Sequence, residues 1–106
     1  MSQFDNVSVV KKGNVFFDGK CVSHSVLFSD GTRKTVGVIM PGSQLTFNVG
    51  TPELMEITDG TCLVKIAGEP AFKTYTAGTS FRVAENSSFE IHAKDELNYV
   101  CSFGSD

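Results

Sequence analysis

The chain has 106 residues, a formal net charge of −3, 41 % hydrophobic residues and 20 % charged ones. That length provides for one core rather than two, and the modest charge argues against intrinsic disorder. A mildly acidic chain without Lys/Arg blocks argues against nucleic acid as a partner, and no apolar run approaches the roughly 18 residues of a membrane-spanning helix.

The start, Met1-Ser2-Gln3-Phe4-Asp5-Asn6, lacks the basic, then long apolar, pattern of a signal peptide. Residues 7–10, 14–17 and 21–28 are β-branched or aromatic runs of strand length. Further strands are expected at 35–40, 44–49, 54–58, 61–67, 79–84, 89–93 and 98–103. Asp18-Gly19, Asp30-Gly31 and Asp59-Gly60 are read as tight hairpin turns, since Asp-Gly supplies the positive φ angles such turns require. Other breaks fall at Pro41-Gly42, Gly68-Glu69-Pro70, Ala77-Gly78 and Asn86-Ser87-Ser88. No stretch of about twelve residues carries helical spacing. About ten short strands with regular turn signals describe an all-β antiparallel sandwich or barrel occupying residues 1–106 as a single domain. The first two strands read as sheet edges, open to pairing with a second subunit.

Strand alternation sorts the side chains by face. Glu53, Met55 and Ile57 share one parity, as do Cys62, Val64 and Ile66, Phe81 and Val83, Phe89 and Ile91, and Tyr99, Cys101 and Phe103. These line the interior. Lys65, Arg82, Glu90, His92 and Ser102 take the opposite, solvated face. Glu53 is the exception on the inner side, a carboxylate in an apolar row. Cys21, Cys62 and Cys101 are odd in number, form no CxxC pair and read as free thiols of a reducing compartment, not as zinc ligands or a disulfide framework.

Two segments resemble degenerate cupin motifs. Glu53 and Gly60, with six residues between them, match the end of the first motif, and Gly78 opens the second. Cupins bind a metal through two histidines and the glutamate of the first motif and a histidine of the second. Here the paired histidine positions fall on Phe47 and Val49, or on Thr46 and Asn48, and the last falls on Phe89. The two histidines present, His24 and His92, match none of them, so no metal is expected.

A closer resemblance covers residues 7 to 103. The ordered set Val36-Gly37-Val38-Ile39-Met40-Pro41-Gly42, Thr46-Phe47, Thr51-Pro52-Glu53-Leu54-Met55, Gly60, Ala77-Gly78-Thr79-Ser80-Phe81, Asn86-Ser87-Ser88-Phe89 and Tyr99-Val100-Cys101-Ser102-Phe103 is similar to the small bacterial pyrimidine/purine nucleoside phosphorylases. The resemblance implies a single cupin-like barrel (a jelly roll, or double-stranded β-helix) and a cytoplasmic, dimeric enzyme. It also implies a broad pentosyltransferase activity, the cleavage of purine and pyrimidine nucleosides by phosphate to free base and α-D-ribose 1-phosphate. Inorganic phosphate is then a co-substrate and no cofactor is expected. The alternative is a non-catalytic small-molecule-binding cupin.

Phosphorolysis of an N-glycosidic bond passes through an oxocarbenium-like state, and its demands single out residues. Phosphate is suited by a guanidinium or ammonium group, which makes Arg33 and Lys34 of the cluster Thr32-Arg33-Lys34-Thr35 candidates, with a solvated hairpin end as the plainer reading. Lys73 and Arg82 look outward. The ribose and its developing charge are suited by a carboxylate, which makes Glu53 the catalytic candidate, or a buried acceptor fixing the loop at Pro52. Bases of both classes are held by stacking. Phe47, Phe81, Phe89 and Tyr99 are candidates for that wall, and equally for ordinary core. His92 is a weaker candidate for protonating the leaving base, because its parity opposes Phe89.

Overall fold

A computed structural model describes residues 3–104. Eleven strands run in chain order as β1 (Ser8–Val9), β2 (Asn14–Phe16), β3 (Cys21–Leu27), β4 (Arg33–Ile39), β5 (Gln44–Val49), β6 (Glu53–Asp59), β7 (Thr61–Ile66), β8 (Lys73–Thr76), β9 (Ser80–Val83), β10 (Ser87–Ala93) and β11 (Leu97–Phe103). They form a seven-stranded sheet ordered β1-β3-β4-β11-β6-β9, with β2 also on β3, and a four-stranded sheet ordered β5-β10-β7-β8. All pairings are antiparallel. The all-β expectation holds, and among the described residues no helix is long and apolar enough to cross a membrane.

The core lies between the two sheets and draws on both, with Ile39, Ile57 and Leu97 from one and Val64, Ile91 and Phe89 from the other. The inner rows predicted from alternation are the buried ones: Met55, Ile57, Cys62, Val64, Phe81, Val83, Ile91, Tyr99 and Cys101. Removing such side chains from water, at roughly 25 cal/mol per Å², is what holds the sheets face to face.

Two sequence expectations change. Asp30-Gly31 does close a hairpin, β3 to β4, where Asp30 Oδ1 accepts the Thr32 N–H at 2.9 Å and the Thr32 hydroxyl at 2.6 Å. Asp59-Gly60 does not. It carries the chain from β6 in the large sheet to β7 in the small one, a corner rather than a hairpin. Gly60 has φ +92°, and a Cβ there would sit 2.5 Å from the Glu96 carbonyl oxygen, so the corner needs glycine for space as well as conformation. Strand β8 lies where the sequence reading placed only a connection, and it covers the edge of β7. Its apolar content is a single tyrosine, too little for the period-two signal to register.

Candidate functional site

The two sheets leave a cavity of about 360 Å³ between them, within the range of small-molecule sites. Its large-sheet wall is built from three cross-strand rows. At the mouth, Glu53 on β6 stands opposite Phe103 on β11, with Arg33 on β4 beyond it. The next row is Ser25, Thr35, Cys101 and Met55. The row farthest from the mouth is Asn14 on β2, Ser23, Gly37 and Tyr99. The facing wall is aromatic: Phe47 on β5 and Phe89 on β10 are register partners whose rings stack at 5.4 Å and 22°. The site therefore has one polar wall and one aromatic wall.

Arg33 is held in place from two sides. Its guanidinium carbon lies 4.4 Å over the Phe103 ring and its Nη1 donates to Ser25 Oγ at 3.4 Å. Among the ion pairs of the described residues none joins Arg33 to Glu53. A phenyl ring thus stands between a cation and a carboxylate that both line the cavity. Burial pushes the Glu53 carboxyl above its ordinary value, opposed by its hydrogen bond with the Cys101 thiol. Burial, then the neighbouring Glu53, pushes the Cys101 thiol well up in turn. Cys21 is also raised by burial and Cys62 is pushed up to about 11, so all three free thiols are held neutral. Neutral thiols pack and donate weakly but are poor nucleophiles.

Tyr99 crosses the floor where β4 has no side chain. A Cβ on Gly37 would lie 2.6 Å from the tyrosine ring, so glycine is what admits it. The Tyr99 hydroxyl is 3.4 Å from Cys21 Sγ and bonds Ser23, and burial keeps the phenol protonated far above neutrality. A bulge re-aims this strand pair: Tyr99 pairs Ile57 while Asn98 pairs Asp59, leaving Thr58 extra on β6.

Of the sequence candidates, Glu53, Arg33, Phe47, Phe89 and Tyr99 come together around this cavity. Lys34 does not. The pleat sends it to the opposite face of β4, where its ammonium sits 5.7 Å from the Phe4 ring and 5.8 Å from that of Phe28. Phe81 does not line the cavity either. It is core, 5.4 Å behind Phe89 and 4.9 Å from Tyr75, and supports the aromatic wall from the rear. His92 bonds Glu90 at 2.6 Å and stacks on Phe72, and His24 bonds the Val10 carbonyl, both outside the cavity. Lys73 pairs with Glu69 at 3.2 Å.

The sequence reading missed Asn14, Ser23, Ser25 and Thr35 as cavity residues. The last three are legible once the inward parity of β3 and β4 is known, but both strands carry their valines outward. Phe16 and Phe17 were also missed. They pack edge-on against Phe47 at 6.3 and 5.2 Å, and Phe17 does so from a left-handed backbone at φ +52° that a bulky residue rarely adopts.

The cavity's side chains do not fit a metal: among the described residues no group of three His, Cys, Asp or Glu side chains able to hold an ion exists, and Glu53 shares the cavity with the Phe47–Phe89 stack, which offers no ligand.

The fold is that of the cupin class. An RmlC-like cupin from Shewanella frigidimarina superposes with a TM-score of 0.71 over 96 % of this chain and 86 % of its own, at 14 % identity. A structure from Acinetobacter sp. ADP1, described as a protein of unknown function, superposes with a TM-score of 0.93 at 52 % identity, over 95 % of this chain and 97 % of that one. A relative from Cupriavidus pinatubonensis, named pyrimidine/purine nucleoside phosphorylase, is 64 % identical over 104 residues, 98 % of each chain. The family model described as pyrimidine/purine nucleoside phosphorylase matches residues 11–103. The chain belongs to the pyrimidine/purine nucleoside phosphorylase family.

Proposed function

We propose that this chain is a broad-specificity nucleoside phosphorylase that uses inorganic phosphate and no metal. It cleaves purine and pyrimidine nucleosides to free base and α-D-ribose 1-phosphate, as a pentosyltransferase. The observation that carries this reading is the mouth row: Arg33 and Glu53 on either side of Phe103, unpaired with each other, facing the Phe47–Phe89 stack.

The division of labour follows from charge and shape. A phosphate oxygen attacks the anomeric carbon as the bond to the base nitrogen breaks, and the base leaves with that electron pair and takes up a proton. The Arg33 fork suits the phosphate, because a guanidinium pairs two oxygens at once. Glu53 suits the ribose hydroxyls and the positive charge growing on the ring, and its half-buried carboxylate acts there in a medium of lower dielectric than water. The aromatic wall holds the base by its faces, which every base possesses.

The same reading makes the protein a cytoplasmic homodimer. Supporting it, β1 and β2 flank the edge of the large sheet and expose Val9, Val15, Phe16 and Phe17.

The test is to incubate the pure protein with uridine, guanosine or adenosine in EDTA, with and without phosphate. Phosphate-dependent release of base is expected. Tight nucleoside binding with no release at high protein concentration would instead favour the binding-only alternative.

A further inference from the structure

Strand β2 turns one polar side chain, Asn14, toward the cavity. Asn14 pairs Ser23 and Phe16 pairs Cys21, and directly opposed residues of an antiparallel pair point to the same face, so both side chains turn into the cavity. The Asn14 carboxamide donates to Ser23 Oγ at 3.4 Å, a long contact that leaves its oxygen without a partner among the described hydrogen bonds. Ser23 and Tyr99 flank Gly37 in the same cross-strand row, and the Tyr99 hydroxyl is 3.4 Å from Cys21 Sγ, so the amide stands at the open end of a polar row that runs into the buried core. Beside it, Phe16 leads to the Phe47–Phe89 stack.

We propose that Asn14 reads the hydrogen-bonding edge of the nucleobase, and that its carboxamide is the element that lets one pocket take both base classes. This rests on the phosphorylase reading and names the base subsite within it. The spacing fits. From Arg33 to Gly37, in whose row Asn14 lies, is four residues, roughly 13 Å at about 3.3 Å per residue, which places Asn14 at the far end of the cavity from a phosphate on Arg33. The chemistry fits as well. A carboxamide presents one acceptor and two donors side by side. It pairs in one orientation with the carbonyl and N–H edge of uracil or guanine, and after a half-turn with the amino group and ring nitrogen of adenine or cytosine. A carboxylate or an apolar group allows no such inversion. An amide anchored only through a 3.4 Å contact leaves that turn open.

The test compares wild type, Asn14→Leu and Asn14→Asp on uridine, adenosine, inosine and guanosine, with phosphate and nucleoside varied separately. Asn14→Leu is expected to lower kcat/KM for every nucleoside about 10- to 100-fold, the range for removing a hydrogen-bonding partner, while KM for phosphate stays within about twofold. Asn14→Asp keeps only acceptors. It is expected to recover guanosine, which presents two adjacent N–H donors, at least tenfold better than inosine, which lacks the second. An equal response of guanosine and inosine to Asn14→Asp, or a loss confined to phosphate KM, overturns the assignment. Asn14 is exposed on a short edge strand, so unchanged thermal unfolding of both variants confirms that folding is intact. Should wild type release no base from any nucleoside, the phosphorylase reading fails separately. Titration with uracil, followed by the side-chain amide resonances of Asn14, then decides the base subsite: movement of those resonances supports it and their constancy overturns it.

Discussion

Glu53, the proposed catalytic carboxylate, is buried at a cost to the fold that carries it. Burial raises its carboxyl above the ordinary 4.5, so the folded state binds that proton more tightly than the unfolded chain does. The sign follows: this contribution to stability is complete below pH 4.5 and is lost as pH rises through the raised value. Glu53→Gln has no charge to bury. Its thermal midpoint should exceed that of wild type by a margin that opens as pH climbs from about 4 to about 7, while kcat falls by about 100-fold or more. A variant that loses stability and activity together would make Glu53 a structural acceptor. Arg33 belongs to the same row with the opposite charge. Arg33→Met should raise the KM for phosphate about 10- to 100-fold, the range for a lost charged hydrogen bond, and alter that for nucleoside far less. Steady-state kinetics with each substrate varied in turn separates the two.

At the scale of the strand, legibility depended on which face the apolar residues took. For β6, β7, β9, β10 and β11 the apolar parity is the buried parity, and their inner rows were readable from sequence. For β3 and β4 it is inverted: Ser23 and Thr35 are buried while Val22, Val36 and Val38 look outward onto a second cavity of about 580 Å³ beneath Phe4. A hydrophobic pattern therefore points away from the site, and the alternation that splits Arg33 from Lys34 is visible only when a neighbouring strand fixes the direction. The Gly37–Tyr99 fit was hidden for another reason. A glycine inside a strand says that something comes close, without saying what. Gly37→Ala should cost about 1–3 kcal/mol as an overpacking substitution, because its Cβ would fall 2.6 Å from the ring. In a Tyr99→Leu background the added cost should largely vanish, and chemical denaturation of the four proteins in that double-mutant cycle measures the coupling.

For the whole molecule, the cupin-class fold supplies a cavity with one polar and one aromatic wall, and on the proposed function its charge is managed by Arg33 and Glu53. The Phe16–Phe17 segment that packs on Phe47 belongs to the same sheet edge that exposes Val9 and Val15. In the proposed dimer, assembly through that edge would place a subunit contact beside this cavity. Light scattering at micromolar concentration should give twice the 11.4 kDa chain mass, and Val15→Lys should shift the protein toward the monomer. A wild-type monomer under those conditions contradicts the dimer. The central claim, that a phosphate anion and a nucleoside react between one polar and one aromatic wall, is tested most directly by the stoichiometry of a single reaction. With uridine, inorganic phosphate and EDTA, one uracil and one ribose 1-phosphate should form for each phosphate consumed, and Glu53→Gln should suppress all three changes together. Base release that proceeds without phosphate, or nucleoside that binds and is recovered intact, would contradict it.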